Sequence, residues 1–349
     1  TGDHPEQSHD HATGEYHDMK AVLCKQYGPP EALTVEDVPS LEPAEGEMII
    51  SVHSCAANFP DTLIIEGKYQ FKRPFPFVPG GEVAGTIKSV GAGVEGFAPG
   101  DRVIGIPGWG GFAEETPVPA RKVVRLPDAV SMDAGAALVI TYGTTHYALK
   151  DRAHLQPGET LLVLGAAGGT GLAAIELGKV MGARVIAAAS TDEKLEICRK
   201  HGADETINYS SENLKDRIRE LTGGQGVDVV YDPVGGEYSE PALRGMAWNG
   251  RFLVIGFTTG EIPKLPLNLT LLKGCSLVGV FCGAFQDKEP ERFRELMDEL
   301  TGWLAEGRIN PRITARYPLE DTARALIDLK ERRATGKLIV YTERGCDGG

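Results

Sequence analysis

The chain of 349 residues is long for one domain and sufficient for two, and its 42% hydrophobic and 24% charged residues are ordinary for a water-soluble globular protein. No apolar run approaches the roughly 18 residues that a membrane span requires, so we expect no integral membrane protein. The formal net charge of −13 makes nucleic acid and anionic membrane surfaces unfavourable partners.

Residues 1–18 form an acidic and polar segment that is rich in histidine. The segment contains no lysine, no arginine and no apolar core, so it matches neither a secretory signal peptide nor a mitochondrial presequence. Histidine-rich tracts can bind metal, but a disordered tail with incidental histidines is the favoured interpretation. We therefore predict that folded structure begins at Met19.

The six cysteines are scattered along the chain without a C-x-x-C pair. Their spacing fits neither a disulfide framework nor a zinc site, and it favours free thiols in a reducing cytoplasm. They are Cys24, Cys55, Cys198, Cys275, Cys282 and Cys346.

Residues 19 to about 140 are dense in glycine, proline and short β-type runs, as at 48–52, 82–87 and 101–105, which predicts a folded-over β structure. From about 141 to 283 strands and helices alternate, which predicts a doubly wound parallel sheet. The predicted strands are 160–164, 184–189, 205–208, 227–231, 251–255 and 276–281. The predicted helices are 170–181, 192–201, 212–221 and 237–246.

Two amphipathic helices are predicted at 290–306 and 322–332, followed by a closing strand at 337–341. We infer that this C-terminal segment returns to the first domain.

The stretch 161–174 joins an apolar run to a glycine-rich turn and a helix start of small residues. Its pattern, Ala166-x-Gly168-x-x-Gly171, differs at one position from the dinucleotide-binding G-x-G-x-x-G. Gly168 lets the backbone approach a pyrophosphate, Gly171 lets the helix pack close to the sheet, and the helix N-terminus offers free N–H groups to phosphates. A purely structural turn is the alternative, but the flanking strand and helix favour a dinucleotide site.

The strand after that helix leads to Ser190, at the place where NAD-binding units carry an acidic residue for the ribose hydroxyl. A small neutral side chain leaves space for a 2′-phosphate, and Lys194 follows four residues on, so the pattern favours NADPH over NADH. Ser190 and Glu193 also match a capping box that starts a helix, and both roles can hold together. Asp192 keeps NAD as an alternative.

Several further motifs point to one family. They are Asn58-Phe59-Pro60-Asp61, Pro79-Gly80-Gly81-Glu82-Val83-Ala84-Gly85, Gly100-Asp101-Arg102-Val103, Asp232-Pro233-Val234-Gly235-Gly236, Gly250-Arg251-Phe252 and Thr335-Gly336-Lys337. With the glycine-rich turn, they make residues 19–342 similar to the zinc-free quinone oxidoreductases, the zeta-crystallin type of medium-chain dehydrogenase/reductase. The resemblance implies a GroES-like, alcohol-dehydrogenase-type catalytic domain over 19–140 and 284–349, and a Rossmann NADPH-binding domain over 141–283.

Two substitutions relative to the zinc-dependent relatives suggest that this chain holds no metal. Asn58 stands where those relatives have the cysteine of C-x-x-D, and Gly81 stands where they have the histidine of G-H-E. Residues 106–112 replace their four-cysteine lobe. Without a Lewis acid, alcohol oxidation is disfavoured, and reduction of a quinone or an α,β-unsaturated carbonyl is expected.

The resemblance also implies the cofactor contacts. The residues expected to bind the pyrophosphate are Ala167, Gly168, Gly169, Thr170 and Gly171. The residues expected to contact the 2′-phosphate are Ser190, Lys194, Tyr209 and Arg333, and Lys337 could take the place of Arg333. The residues expected near the nicotinamide end are Asn58, Thr145, Phe257 and Phe281. Each contact has a structural alternative: the charged residues could lie on solvated helix faces, Asn58 and Thr145 could cap local backbone, and the two phenylalanines could belong to the core. Glu82 and Asp101 are interpreted as structural residues.

For the substrate, Tyr69 matches a family tyrosine near the quinone pocket, and Tyr142 is a second candidate. A phenol can donate a hydrogen bond to a developing oxyanion, although packing between domains is the simpler role. The expected activity is NADPH-dependent reduction of a small electrophile. The alternatives are an enoyl-thioester or alkenal reductase, and an NADPH-binding protein with little turnover. The family further implies a homodimer, with the strand at 276–281 extending the sheet across subunits.

Overall fold

The computed structural model describes residues 18–343. The predicted tail of residues 1–18 lies outside the described residues except for Asp18, and Cys346 also lies outside them. The first strand, β1 (Asp18–Leu23), contains the buried Met19. The predicted start of the folded chain at Met19 therefore lies inside β1.

The N-terminal part of the chain is built mainly of strands. Its further elements are β2 (Thr34–Pro39), β3 (Glu47–Ala57), α1 (Phe59–Ile65), β4 (Val83–Val90), β5 (Arg102–Gly105), β6 (Glu115–Pro119), β7 (Val123–Arg125) and α2 (Met132–Ala136). A continuous helical segment follows, in which α3 (Thr144–His146) is flanked by π-helical turns at Val139–Gly143 and Tyr147–Arg152.

Strands and helices then alternate, and all of these elements except the helix α8 match predicted segments. The elements are β8 (Thr160–Val163), α4 (Gly169–Val180), β9 (Arg184–Ala189), α5 (Asp192–Lys200), β10 (Glu205–Asn208), α6 (Leu214–Leu221), β11 (Val227–Asp232), α7 (Ser239–Arg244), β12 (Met246–Val254), α8 (Asn268–Lys273) and β13 (Ser276–Gly279). The chain closes with α9 (Cys282–Lys288), α10 (Pro290–Ala305), β14 (Ile313–Pro318), α11 (Thr322–Lys330) and β15 (Lys337–Tyr341).

Two larger sheets define the fold. Strands β8 to β13 form a six-stranded parallel sheet in the order β10-β9-β8-β11-β12-β13, which is the doubly wound Rossmann arrangement. A second sheet has the order β14-β15-β3-β4-β5-β7, with β6 paired to β3. The predicted fold class, a Rossmann sheet with a GroES-like β-rich domain, is therefore confirmed.

The C-terminal strands β14 and β15 join the second sheet, where β15 pairs with β3 in antiparallel register. The domain limits at 140/141 and 283/284 stay predictions, because strand pairing alone does not define them.

The parallel strands are apolar because helices cover both faces of the sheet. Leu161, Leu162 and Val163 of β8 are fully buried, and so are Val185 and Ile186 of β9. One apolar core also contains residues of the second sheet, so the two sheets pack against a common interior. Within residues 18–343 no helix has the length and apolar character to cross a membrane.

The predicted element boundaries differ from the structure mainly around β12. The helix expected at 237–246 stops at Arg244, because Met246 already pairs with Val227 in the sheet. A register shift between Val227 and Val229 lets β12 begin five residues before the predicted 251. The strand expected at 276–281 ends at Gly279, which leaves Phe281 beyond the sheet.

Candidate active site

A cleft crosses the carboxyl ends of β8, β9, β11 and β12. The remaining lining residues come from the junction of β3 and α1, from the helical segment around Thr141, and from the end of α11 to the start of β15. The cleft therefore lies where the strand order reverses between β8 and β11, the usual ligand position in open α/β sheets. Nine of the residues predicted from the sequence line it: Asn58, Ala167, Gly168, Gly169, Thr170, Ser190, Lys194, Tyr209 and Phe257.

The glycine-rich turn presents the start of α4 to this cleft. Gly165 makes the turn with φ +57°, a left-handed conformation that favours glycine. A Cβ atom on Gly171 would lie 2.5 Å from the carbonyl oxygen of Gly165, so only glycine allows this approach. Gly168 is the N-cap and supplies no side-chain cap, which leaves first-turn N–H groups of α4 available to an anion. These features fit the pyrophosphate of a dinucleotide.

The cleft also contains a cation beside the end of β9. Lys194 Nζ lies 3.4 Å from Ser190 Oγ, and both residues line the cleft. The capping-box interpretation of Ser190 is wrong: the N-cap of α5 is Thr191, whose hydroxyl accepts a hydrogen bond from the Lys194 backbone N–H. Asp192, which kept NAD as an alternative, accepts a hydrogen bond from the Asn208 side chain and is not among the residues that line the cleft.

Tyr209 lies against Tyr238 at the same end of the cleft, with their ring centroids 4.2 Å apart. Burial raises the pKa of Tyr209 to about 12, and the neighbouring Tyr238 phenol adds to the shift. The Tyr209 phenol is therefore neutral at physiological pH and can donate a hydrogen bond.

The arginine that lines the cleft stands one residue before the arginine predicted to contact the 2′-phosphate. Arg333 does not line the cleft; it is exposed, pairs with Asp328 at 2.5 Å and also contacts Glu331. Arg332 lines the cleft instead, and its guanidinium donates to the Thr258 carbonyl oxygen at 3.0 Å. The cause is local, because Arg332 has φ 58° and this left-handed residue turns the chain just after α11.

A buried group of polar side chains lines the cleft beside the glycine-rich turn, where a Cβ atom on Gly169 would lie 3.2 Å from Lys337 Cδ. Lys337 Nζ donates to Asn58 Oδ1 at 2.5 Å and to Glu82 Oε1 at 2.9 Å. Asn58 Nδ2 donates to the same Glu82 oxygen at 2.9 Å, and the Ile140 backbone N–H donates to the other Glu82 oxygen. Glu82 and Lys337 are 0% and 4% exposed, so the ion pair is inside the protein.

This group was only partly predictable. The motifs Gly-Gly-Glu and Thr-Gly-Lys marked Glu82 and Lys337, but nothing in the sequence paired them across 255 residues. Lys337 is bound to Glu82 and Asn58 rather than placed beside Lys194 as a substitute for Arg333.

Asp61 is buried next to this group, and its Oδ2 atom accepts a hydrogen bond from the Asn58 backbone N–H at 2.8 Å. Burial raises the pKa of Asp61 to about 7, against the lowering effects of that hydrogen bond and of the Lys337 charge. Asp61 therefore holds or releases a proton near neutral pH.

Thr145 does not reach the cleft. It is fully buried, and its hydroxyl lies 2.7 Å from the Thr141 carbonyl oxygen and 2.8 Å from the Tyr231 hydroxyl. Thr141 and Thr144 line the cleft in its place. The π-helical turn at Val139–Gly143 adds a residue to the turn and changes which face Thr145 occupies, a feature that ordinary helical spacing does not predict.

Of the aromatic residues predicted near the nicotinamide or the substrate, one lines the cleft and the others do not. Phe257 lines the cleft, but Phe281 does not; it is 50% exposed and lines a neighbouring groove beyond β13. Tyr142 is a core residue, because it is 2% exposed and its hydroxyl donates to Glu176 at 2.7 Å. Tyr142 is not among the residues that line the cleft.

Tyr69 is half-buried in the segment after α1 and packs edge-to-face against Phe71 at 6.1 Å. It is not among the residues that line the cleft. Burial raises the pKa of Tyr69, and the Asp61 charge raises it further, so the phenol keeps its proton at neutral pH.

Within the part of the chain that the structure describes, no three or more His, Cys, Asp and Glu side chains are grouped so that they could hold a metal ion.

Comparison with known proteins gives a consistent result. Residues 44–128 match the family model of the alcohol dehydrogenase GroES-like domain, and residues 169–302 match that of the zinc-binding dehydrogenases. The quinone oxidoreductase-like protein 2 homolog of Nematostella vectensis is 42% identical over 93% of this chain and 89% of that protein. The quinone oxidoreductase of Pseudomonas aeruginosa is 36% identical over 92% of this chain and 99% of that protein. The crystal structure of Escherichia coli quinone oxidoreductase complexed with NADPH superimposes with a TM-score of 0.86 at 30% identity, covering 93% of this chain and 99% of that one.

Proposed function

This chain belongs to the quinone oxidoreductase family of medium-chain dehydrogenase/reductases, and we propose that it reduces a quinone or an α,β-unsaturated carbonyl with NADPH and without zinc. When bound, NADPH supplies the hydride. The protein supplies binding, orientation and a cleft that excludes water. A close alternative on the same scaffold is an enoyl-thioester or alkenal reductase.

The observation that carries the cofactor proposal is the Lys194–Ser190 pair at the end of β9. Because Thr191 caps α5, the Ser190 hydroxyl is left to face the cleft together with the ammonium of Lys194. A neutral hydroxyl and a cation suit a 2′-phosphate, whereas NAD-binding sites place a carboxylate here. Arg332 adds a second cation that lines the cleft.

The zinc-independence proposal rests on the side chains that replace metal ligands. Asn58 is engaged with Glu82 and Lys337, and Gly81 has no side chain. The Lys337 ammonium already supplies a buried positive charge at this place. For the proton that follows the hydride we propose Tyr69 or water. A Tyr69→Phe variant that keeps its turnover would assign that step to water.

The test is NADPH oxidation by the purified protein with naphthoquinone and with a straight-chain enone, before and after exhaustive chelation. We expect turnover with one of these acceptors, a weaker rate with NADH, and no loss after chelation. Loss of turnover on chelation that zinc restores would reject zinc independence. Tight NADPH binding without oxidation by either acceptor would favour the binding protein with little turnover.

We also propose that the protein is a cytoplasmic homodimer. Strand β13 is the edge of the six-stranded sheet, and on α8 beside it Leu271 and Leu272 are 78% and 68% exposed. An exposed edge strand next to an apolar patch is suited to pairing with a second copy. The cysteines within residues 18–343 are free thiols, which is compatible with a reducing compartment. Cell fractionation tests the location.

A further inference from the structure

The helical segment between α2 and β8 borders the cleft at an irregular turn. In the π-helical turn Val139–Gly143, the Gly143 N–H donates to the Leu138 carbonyl oxygen at 3.2 Å, one residue beyond the ordinary α-helical partner. Two residues of this turn, Ile140 and Thr141, line the cleft. Because π-helical turns are rare and occur frequently at functional sites, the contacts that hold this turn bear on what the cleft does.

The turn lies between two parts of the cleft that the proposed reaction uses. A Cβ atom on Gly81 would lie 3.5 Å from Ile140 Cδ1, so Ile140 is next to the position where the zinc-dependent relatives carry a histidine. A Cβ atom on Gly169 would lie 3.1 Å from Thr141 Cγ2, so Thr141 is next to the start of α4. The register of the turn therefore decides which side chains stand between the glycine-rich turn and the buried polar group.

Two carboxylates hold the turn in this register. Glu82 accepts a hydrogen bond from the Ile140 backbone N–H at 2.8 Å, and Glu176 accepts one from the Tyr142 phenol at 2.7 Å. Tyr142 is almost fully buried, so water cannot replace Glu176 as the acceptor. Burial raises the pKa of the Tyr142 phenol well above its ordinary value, and the Glu176 charge raises it further, so the phenol remains a donor at neutral pH.

Glu176 is itself fixed by contacts with other elements. It lies on α4, about two turns after the helix begins at Gly169. Its Oε1 atom is 2.6 Å from Nδ1 of His201, the residue that caps the end of α5, and its Oε2 atom accepts a hydrogen bond from the Asn310 backbone N–H at 2.9 Å. Asn310 lies between α10 and β14, on the segment that returns to the second sheet. The Tyr142 phenol therefore connects the turn to a fixed point.

We propose that Tyr142 and Glu176 are positioning residues for hydride transfer, because their hydrogen bond holds the π-helical turn in the register that keeps Ile140 and Thr141 in the cleft. The inference rests on the proposed function, since it concerns how the cofactor and the acceptor meet, although neither positioning residue lines the cleft. Without the bond the turn can relax into regular α-helix. One residue of register corresponds to about 100° of rotation, which turns the cleft-facing side chains away.

The experiment measures kcat and KM with NADPH and naphthoquinone or a straight-chain enone, the Kd of NADPH, and amide hydrogen exchange over residues 139–152. Tyr142→Phe and Glu176→Ala remove the hydrogen bond, whereas Glu176→Gln keeps an amide oxygen that can accept it. Tyr317→Phe is the matched control, because the buried Tyr317 phenol also donates to a carboxylate, that of Asp328 at 2.5 Å, and does not line the cleft.

We expect Tyr142→Phe and Glu176→Ala each to lower kcat about tenfold, because a hydrogen bond to a charged group changes an equilibrium by about that factor or more. The Kd of NADPH should change less than about threefold, and Glu176→Gln should recover most of the loss in kcat. The double variant Tyr142→Phe/Glu176→Ala should be no slower than either single variant, since both changes act through one bond. Tyr317→Phe should keep the wild-type kcat.

An unchanged kcat in Tyr142→Phe overturns the assignment. An equal loss in Tyr317→Phe, or a loss of NADPH affinity as large as the loss of kcat, also overturns it, because either result is a general weakening of the fold. If the wild type reduces neither acceptor, the proposed function fails and hydrogen exchange decides the inference. Faster exchange over 139–143 in Tyr142→Phe but not in Tyr317→Phe then supports the role of the bond in holding the turn, and equal exchange in the two variants rejects it.

Discussion

The ammonium of Lys337 donates a 2.5 Å hydrogen bond to Oδ1 of Asn58, across 279 residues of sequence. Asn58 is the single residue between β3 and α1, and Lys337 begins β15, which pairs with β3. The same ammonium also pairs with Glu82, so one cation satisfies two buried acceptors. This contact joins the C-terminal segment to the wall of the cleft.

Removing this ammonium should destabilise the fold. In Lys337→Met, the Glu82 carboxylate stays buried without its cation, and we expect a loss of about 3–5 kcal/mol in the free energy of unfolding, measured with urea. Lys330→Met is the control, because Lys330 forms an exposed pair with Glu66 and should lose at most about 1 kcal/mol. The double variant Glu82→Gln/Lys337→Met should recover part of the loss. Equal losses in the two lysine variants would show that the buried pair adds nothing.

Arg332 and Arg333 should differ in their effect on NADPH. Only Arg332 lines the cleft, whereas Arg333 pairs with Asp328 and Glu331. We expect Arg332→Gln to raise the Kd of NADPH about fivefold, equivalent to about 1 kcal/mol, and Arg333→Gln to change it less than about twofold. Intrinsic fluorescence titration measures both. The reverse order would restore the residue that the sequence pattern indicated.

Two predicted site residues that do not line the cleft have local structural causes in common. The glycine-rich turn was predicted well because strand, turn and helix are neighbours in sequence, and its residues Ala167 to Thr170 line the cleft. The predictions at Arg333 and Thr145 miss the cleft by a few residues, because a left-handed residue at 332 and a π-helical turn change the side-chain direction locally. Neither feature follows from residue type. The Lys337–Glu82 pair is a long-range contact that one sequence cannot reveal.

The homodimer proposal predicts that charge on α8 separates the subunits. In the double variant Leu271→Lys/Leu272→Lys, two exposed apolar side chains beside the edge strand become cations that repel a second copy. We expect sedimentation velocity to show a dimer for the wild type and a monomer for this variant. Phe71→Lys is the control, since Phe71 is 59% exposed and lies in the segment after α1. A wild-type monomer would reject the proposal.

The buried carboxyl of Asp61 predicts a stability that depends on pH. Its pKa is about 7 in the folded protein against an ordinary value of 3.8, so between these values the folded state keeps a proton that the unfolded chain has released. The free energy of unfolding should therefore fall as pH rises toward 7, by up to about 1.4 kcal/mol per pH unit, and level off above that. Urea unfolding from about pH 5 to pH 8 measures this slope. In Asp61→Asn the Asp61 contribution to the slope should disappear, and equal slopes in both proteins would show that this carboxyl does not titrate there.

The preference for NADPH should depend on Lys194. Its ammonium lies beside Ser190 in the cleft, where it can pair with a 2′-phosphate that NADH lacks. We expect the wild type to bind NADPH about tenfold or more tighter than NADH, and Lys194→Ala to lose about 1.4 kcal/mol of that preference by weakening NADPH alone. Lys200→Ala is the matched control, because Lys200 is an exposed lysine at the far end of the same helix. Equal binding of the two cofactors by the wild type, or an unchanged preference in Lys194→Ala, would contradict the 2′-phosphate assignment. The start of α5 would then account for this turn alone, because the Thr191 cap needs neither the Ser190 hydroxyl nor the Lys194 ammonium.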